Sequence, residues 1–188
     1  MRRILAFCAV GLLFSVSPSY ADICGSIAGN LVVNCGFETG DLTGWTLSGN
    51  TSFIGVDGNA NSGADAAFMG PVGSDGFLSQ VLATTPGNVY QISVWMANDG
   101  GTPSDFSVAW NGTSLLSLTN MPASGYTQFV LPSVVAVGLD TLRIGARNDP
   151  AFLYVDDVSV GSVVPEPGSM LLLGTGLIAA LRFRKGRK

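Results

Sequence analysis

No stretch between residues 22 and 164 keeps a helical period. What recurs is a short alternating or apolar run: "NLVVNC", "FLSQVLA", "VYQISVWMA", "DFSVAW", "SLLSL", "TQFVLPSVVAV", "DTLRIGAR" and "FLYVDDVSV". Turn signals such as "TPGN", "NDGG", "ASGY" and "RNDP" separate the runs. β-Branched and aromatic side chains fill the runs because they suit a pleated, half-buried surface, while Gly and Asn fill the gaps. Asn111-Gly112, set between two runs, is a two-residue hairpin signal, since a type I′ turn needs positive φ at both central positions. The pattern predicts an all-β protein of about eight strands, folded as a two-sheet antiparallel β-sandwich.

Both ends of the chain read as addresses rather than as parts of that sandwich. Arg2 and Arg3 precede the apolar run "ILAFCAVGLLFSV", and "SPSYA" then places Ser19 and Ala21 in a small-x-small cleavage pattern. This is the three-part build of a secretory signal peptide over 1–21, cut after Ala21 by signal peptidase. At the other end an apolar run from Gly168 to Leu181 is followed by Arg182, Arg184, Lys185, Arg187 and Lys188. Fourteen helical residues reach only ~21 Å of a ~30 Å hydrocarbon core. Snorkelling Arg stems extend that reach, and the positive-inside rule holds the basic tail in the cytoplasm. The expectation is a short C-terminal transmembrane helix with the body of the protein outside the inner membrane.

The triplet Pro165-Glu166-Pro167, the segment "GSMLLLGTGL" and the terminal "RFRKGRK" follow one another in that order. Together they resemble the PEP-CTERM sorting signal of exported bacterial proteins. The resemblance implies recognition by an exosortase, an integral-membrane cysteine transpeptidase that cuts at or near the triplet. The protein would then pass from the inner membrane to the cell surface or the extracellular matrix. Prolines on both sides of Glu166 keep the stretch extended, as a peptide substrate of such an enzyme needs to be. The resulting division is 1–21 signal peptide, 22–162 β-sandwich domain and 163–188 sorting segment.

Residues 22–164 carry twelve acids against two bases, Arg143 and Arg147, a net charge of −10. Such a domain does not bind nucleic acid by charge. Its two thiols, Cys24 and Cys35, meet an oxidising compartment after export, and a disulfide between them is expected. The whole chain lacks His, and this stretch lacks Lys, so the commonest general bases and nucleophile partners are missing. Its acids sit mostly beside Gly or Asn in turns, where bonding to the local backbone accounts for them. The domain therefore reads as non-catalytic.

"NCGFETGDLTGWTLSG", "NSGADAAFMG", "LSQVLATTPGNVYQISVWMA" and "LYVDDVSV", in that order, resemble the galactose-binding-like jelly rolls that include many carbohydrate-binding modules. Two readings stand beside this resemblance: a non-catalytic surface or matrix component whose sorting is its best-defined property, and, as the alternative, a carbohydrate-binding module for exopolysaccharide. The resemblance also implies a structural calcium ion where the first and last strands meet. Glu38 and Asp156 match its acidic positions, Asp157 is a further candidate ligand, and backbone carbonyls near Asn61 and Ser62 would complete the shell. The other reading is that these are solvated acids at strand ends. Trp45 and Tyr126 are the candidate glycan contacts among the aromatics, although in this fold a Trp at position 45 also packs under the first turn. Trp95 and Trp110, at the ends of apolar strands, are expected in the core.

Overall fold

The computed structural model describes residues 21–163. The expected signal peptide up to Tyr20, the triplet Pro165-Glu166-Pro167 and the expected transmembrane helix lie outside the described residues, within which no helix is long and apolar enough to cross a membrane.

The described residues form two antiparallel sheets packed face to face, with a single 3-10 turn among them at Cys24–Ser26. In chain order the strands are β1 (Thr46–Gly49), β2 (Ile54–Asp57), β3 (Ala66–Met69), β4 (Gly76–Ala83), β5 (Val89–Asn98), β6 (Ser104–Trp110), β7 (Thr113–Thr119), β8 (Ser124–Val130), β9 (Val134–Val135), β10 (Leu139–Asn148) and β11 (Leu153–Ser162). One sheet has the order β1-β4-β10-β6-β7; the other runs β2-β3-β11-β5-β8, with β9 pairing beside β8 on β5. Alternation assigns one face of each strand to the interior. Leu78, Phe106, Val108, Leu142 and Ile144 come from the first sheet, and Met69, Ile92, Val94, Met96, Leu153 and Val155 from the second, all buried. Each such side chain contributes roughly 1.5–3 kcal/mol of transfer free energy.

Asn111 and Gly112 turn β6 into β7 with φ of 50° and 80°, the paired positive angles of a type I′ hairpin. "TQFVLPSVVAV" is interrupted at Pro132 and yields two strands, β8 and β9, because Pro cannot donate to a ladder. "NLVVNC", expected as a strand, is instead a run of turns. It lies along β11 through isolated bonds, Leu31 N to Val160 O (3.0 Å) and Val158 N to Cys35 O (2.9 Å). Asn34 turns away at φ 51°, so no ladder develops. Cys24 and Cys35 are joined by a disulfide that staples the 3-10 turn to this segment.

Candidate functional site

β11 carries a bulge between Asp156 and Ser159, and Asp157 takes a left-handed φ of 47° there. In regular strand geometry two adjacent acids would point to opposite faces; the bulge turns both toward the loop over 57–65. Asp156 accepts from the backbone amides of Asn61 (2.7 Å) and Ser62 (3.2 Å), and its other oxygen from the amide of Asp157 (2.7 Å). Asp157 accepts from the Ser62 hydroxyl (2.7 Å), the Asn61 side-chain amide (2.7 Å) and the Cys24 amide (3.1 Å). From an exposed position Glu38 accepts from the amides of Ala64 (3.0 Å) and Asp65 (3.2 Å), and the left-handed Gly63 makes room for its carboxylate. The three acids singled out from the sequence thus grip one loop.

Asp156 and Asp157 are both buried, side by side. Burial, and next the charge of Asp157, push the Asp156 carboxyl up to about 7. Among the described residues the ion pair is Arg147 with Asp149 (2.8 Å), so no side-chain cation answers the two aspartates. Their donor set is all oxygen, with the Asn61 amide beside it, and this fits a hard cation such as calcium. The carboxylates of Glu38, Asp156 and Asp157 do not gather within 4.8 Å of one another, which leaves Glu38 as a clamp on the far end of the loop. Among the described residues the one closer trio, Asp22 with Cys24 and Cys35, includes both disulfide sulfurs and is no metal site.

Trp45 is buried, stacks on Phe37 with centroids 5.6 Å apart, and donates its indole N–H to the Asn34 carbonyl (3.2 Å). It presents no ring face to a ligand, which corrects the reading of Trp45 as a glycan contact: a Trp between two glycine-rich turns became the plug beneath them. Trp110 is in the core, whereas Trp95 is not: it sits half-buried on the outer face of the six-stranded sheet, in register with Asp156 and Gln128. Tyr126 is on that face too, half-buried, with its hydroxyl donating to the Asn59 carbonyl (2.5 Å) and its ionisation pushed upward by burial and by Asp156.

The outer face of the five-stranded sheet holds a second group. Phe77 on β4 is in register with Gly145 on β10, and Gly49 on β1 lies on its other side. Both glycine backbones meet the ring so closely that a Cβ at either would collide with it, at 2.8 Å. The missing side chains let Phe77 lie across the sheet, and the exposed Arg143 holds its guanidinium carbon 4.7 Å from the ring centroid. Arg147, two residues beyond Gly145, faces the same way and is engaged by Asp149. Ser107, Thr141 and Ser79 surround them on neighbouring outward positions. Sequence reasoning missed this platform. Its signal was the alternation in "LRIGAR", which puts both bases of the domain on one face with a glycine between them.

A family model described as a carbohydrate binding domain matches residues 29–130, and one described as the PEP-CTERM protein-sorting motif matches residues 163–188. Among solved structures, the module TmCBM61, determined with beta-1,4-galactotriose, is similar at 20% identity over 72% of this chain and 99% of its own, with a TM-score of 0.58. The CBM22-1 xylan-binding domain of Paenibacillus barcinonensis Xyn10C is 18% identical over 73% and 97%, with a TM-score of 0.51. The K1 cleaved adhesin domain of Lys-gingipain from Porphyromonas gingivalis W83 is 12% identical over 69% and 96%, with a TM-score of 0.53. These likenesses concern the fold. Comparison with curated protein sequences finds no match. With the family model covering more than half its length, the chain belongs to the carbohydrate binding domain family, and it ends in a PEP-CTERM sorting motif.

Proposed function

We propose that this is an exported, non-catalytic protein that binds exopolysaccharide at the cell surface or in the extracellular matrix, through the outer face of its five-stranded sheet. The observation that carries the reading is the Phe77 and Arg143 platform within a carbohydrate-binding fold. An aromatic ring lying across a sheet offers the apolar face against which a sugar's C–H groups stack, while the guanidinium and the surrounding hydroxyls supply hydrogen bonds. The acids at the other site are occupied in holding backbone amides, which suits a scaffold role better than acid–base chemistry.

Sorting follows from the C-terminal motif: signal peptidase releases the N-terminus, the apolar segment holds the chain in the inner membrane, and an exosortase then cuts at or near Pro165-Glu166-Pro167. Calcium belongs to the same reading as a structural ion at Asp156 and Asp157, with the Asn61 amide and loop carbonyls as further oxygens and Glu38 fixing the loop. Bound there, it would supply the positive charge that the pair lacks among the described residues.

The test is retention of the exported protein on exopolysaccharide, with Arg143→Ala beside the wild type. Retention is expected for the wild type and a loss of about tenfold for the variant. Equal retention would move binding off this face, and no retention of the wild type would reject the carbohydrate reading. Expression with and without an exosortase should give a shorter, released form only in its presence; the same size and the same membrane retention in both would reject the sorting step.

A further inference from the structure

A cleft of about 290 Å³ opens on the outer face of the six-stranded sheet, across the sandwich from Phe77. Its floor is set by Ala97 on β5, which stands in register with Tyr154 on β11 and is flanked on its other side by the segment of β8 that carries Gly125 and Tyr126. Two tyrosines on either side of a methyl group leave a slot between their rings. Its volume lies just below the range of about 300–1,000 Å³ usual for ligand pockets, which suits one sugar ring rather than a polymer.

The polar atoms of the slot favour a ligand rich in hydroxyl donors. Asp99 accepts the Tyr154 hydroxyl with one carboxylate oxygen (3.1 Å), and among the described residues its other oxygen accepts nothing. Asn59 uses its backbone carbonyl for Tyr126 and its side-chain N–H for Asp57, leaving its side-chain oxygen in the same state. An anion is disfavoured by the carboxylates of Asp99 and Asp57; burial first, and then these acids, raise the Tyr154 hydroxyl to about 12. The wall formed by Asn59 is held in place, since the neighbouring Asn61 and Ser62 are the residues that Asp156 and Asp157 anchor.

We infer that this cleft between Tyr126 and Tyr154 is a second carbohydrate site, one that takes a single neutral pyranose residue, such as a chain end or a side branch. The inference stands apart from the Phe77 platform. If both faces are occupied the domain is bivalent, and it bridges two polysaccharide strands as well as binding one.

Gly125 provides the cleanest variant. A Cβ added there meets no atom within 4 Å, and its backbone is outside the left-handed region, so Gly125→Trp fills the mouth of the cleft without breaking a bond. The exported protein would be titrated by NMR with methyl β-galactopyranoside, methyl β-glucopyranoside and methyl β-glucuronide, beside Gly125→Trp, Tyr154→Ala and Arg143→Ala, each checked for an unchanged melting temperature. The expected result is binding of one or both neutral glycosides over the glucuronide, weakened about tenfold or more by Gly125→Trp and Tyr154→Ala and unaffected by Arg143→Ala. No binding of either neutral glycoside by the wild type, equal binding by Gly125→Trp, or loss only in Arg143→Ala would overturn it.

Discussion

Asp140 and Asp156 are both fully buried carboxylates, yet the protein treats them in opposite ways. Asp140 stands alone. It accepts from Thr84, from the Asn111 side chain at the β6–β7 hairpin, and from the amides of Val137 (3.0 Å) and Gly138 (3.2 Å). Burial pushes this carboxyl upward, but the four donors together outweigh it and hold the group below its ordinary value of 3.8. Asp156 is bonded to three amides, yet burial and the adjacent Asp157 raise it. A single buried carboxylate can be satisfied by neutral donors; a pair of them leaves charge that hydrogen bonds alone do not balance.

The contrast can be broken most forcefully at Asp140. Asp140→Ala strands donors from three separate segments and should cost about 3 kcal/mol in urea unfolding. A cost near zero would mean that water replaces the carboxylate and that the cluster is not structural.

Calcium removal probes the other site. An ion that binds only the folded state adds about 2.7 kcal/mol at a hundredfold excess over its Kd. Chelation should therefore lower the melting temperature, with calcium restoring it better than magnesium, which prefers a tighter octahedron. Asp156→Ala should abolish the response. An unchanged wild-type melting curve would return these acids to hydrogen bonding alone.

A pH series under chelation gives a smaller effect of opposite sign at the two sites. The stabilisation from Asp140, whose folded value is depressed, is present above 3.8 and lost as pH falls through its folded value. Asp156 is raised, so its ionisation costs stability progressively from pH 3.8 to about 7. Asp156→Asn should flatten the decline over that window; the same slope in the variant would assign it to another group. The smallest change is expected from Glu38→Gln, which should speed amide exchange at Ala64 and Asp65 with little shift in melting.

How much of this was legible depended on how local the signal was. β4, β5, β6, β7, β10 and β11 follow runs whose alternation or apolarity is written in consecutive residues, and the Asn111-Gly112 hairpin is set by two. β1, β2 and β3 are four-residue strands, "TLSG", "IGVD" and "AAFM", with too few β-branched or aromatic residues to announce themselves. β1 and β3 exist because the longer strands β4 and β11 offer them an edge to pair with, and β2 in turn pairs on β3. In the acid cluster the residue types were legible and the geometry was not, since a bulge at Asp157 depends on how β11 meets β3 and β5. Phe77, Arg143, Gly145 and Gly49 come from three strands, and only the sheet order brings them together.

β11 occupies the middle of its sheet, hydrogen-bonded to β3 on one side and β5 on the other, and its last residue, Ser162, still pairs with Tyr90. The sorting motif begins at the next residue. Were the C-terminus held, before processing or by attachment after it, while the proposed polysaccharide is bound, the tension would be delivered along the axis of a central strand. Such a load must shear several ladder bonds at once, where a strand at the rim would unzip them one by one. The disulfide-linked N-terminal segment, bonded to β11 at Val158 and Val160, adds to that resistance. Under that proposal the exit point of the chain would make the domain a mechanical coupling as well as a binding surface.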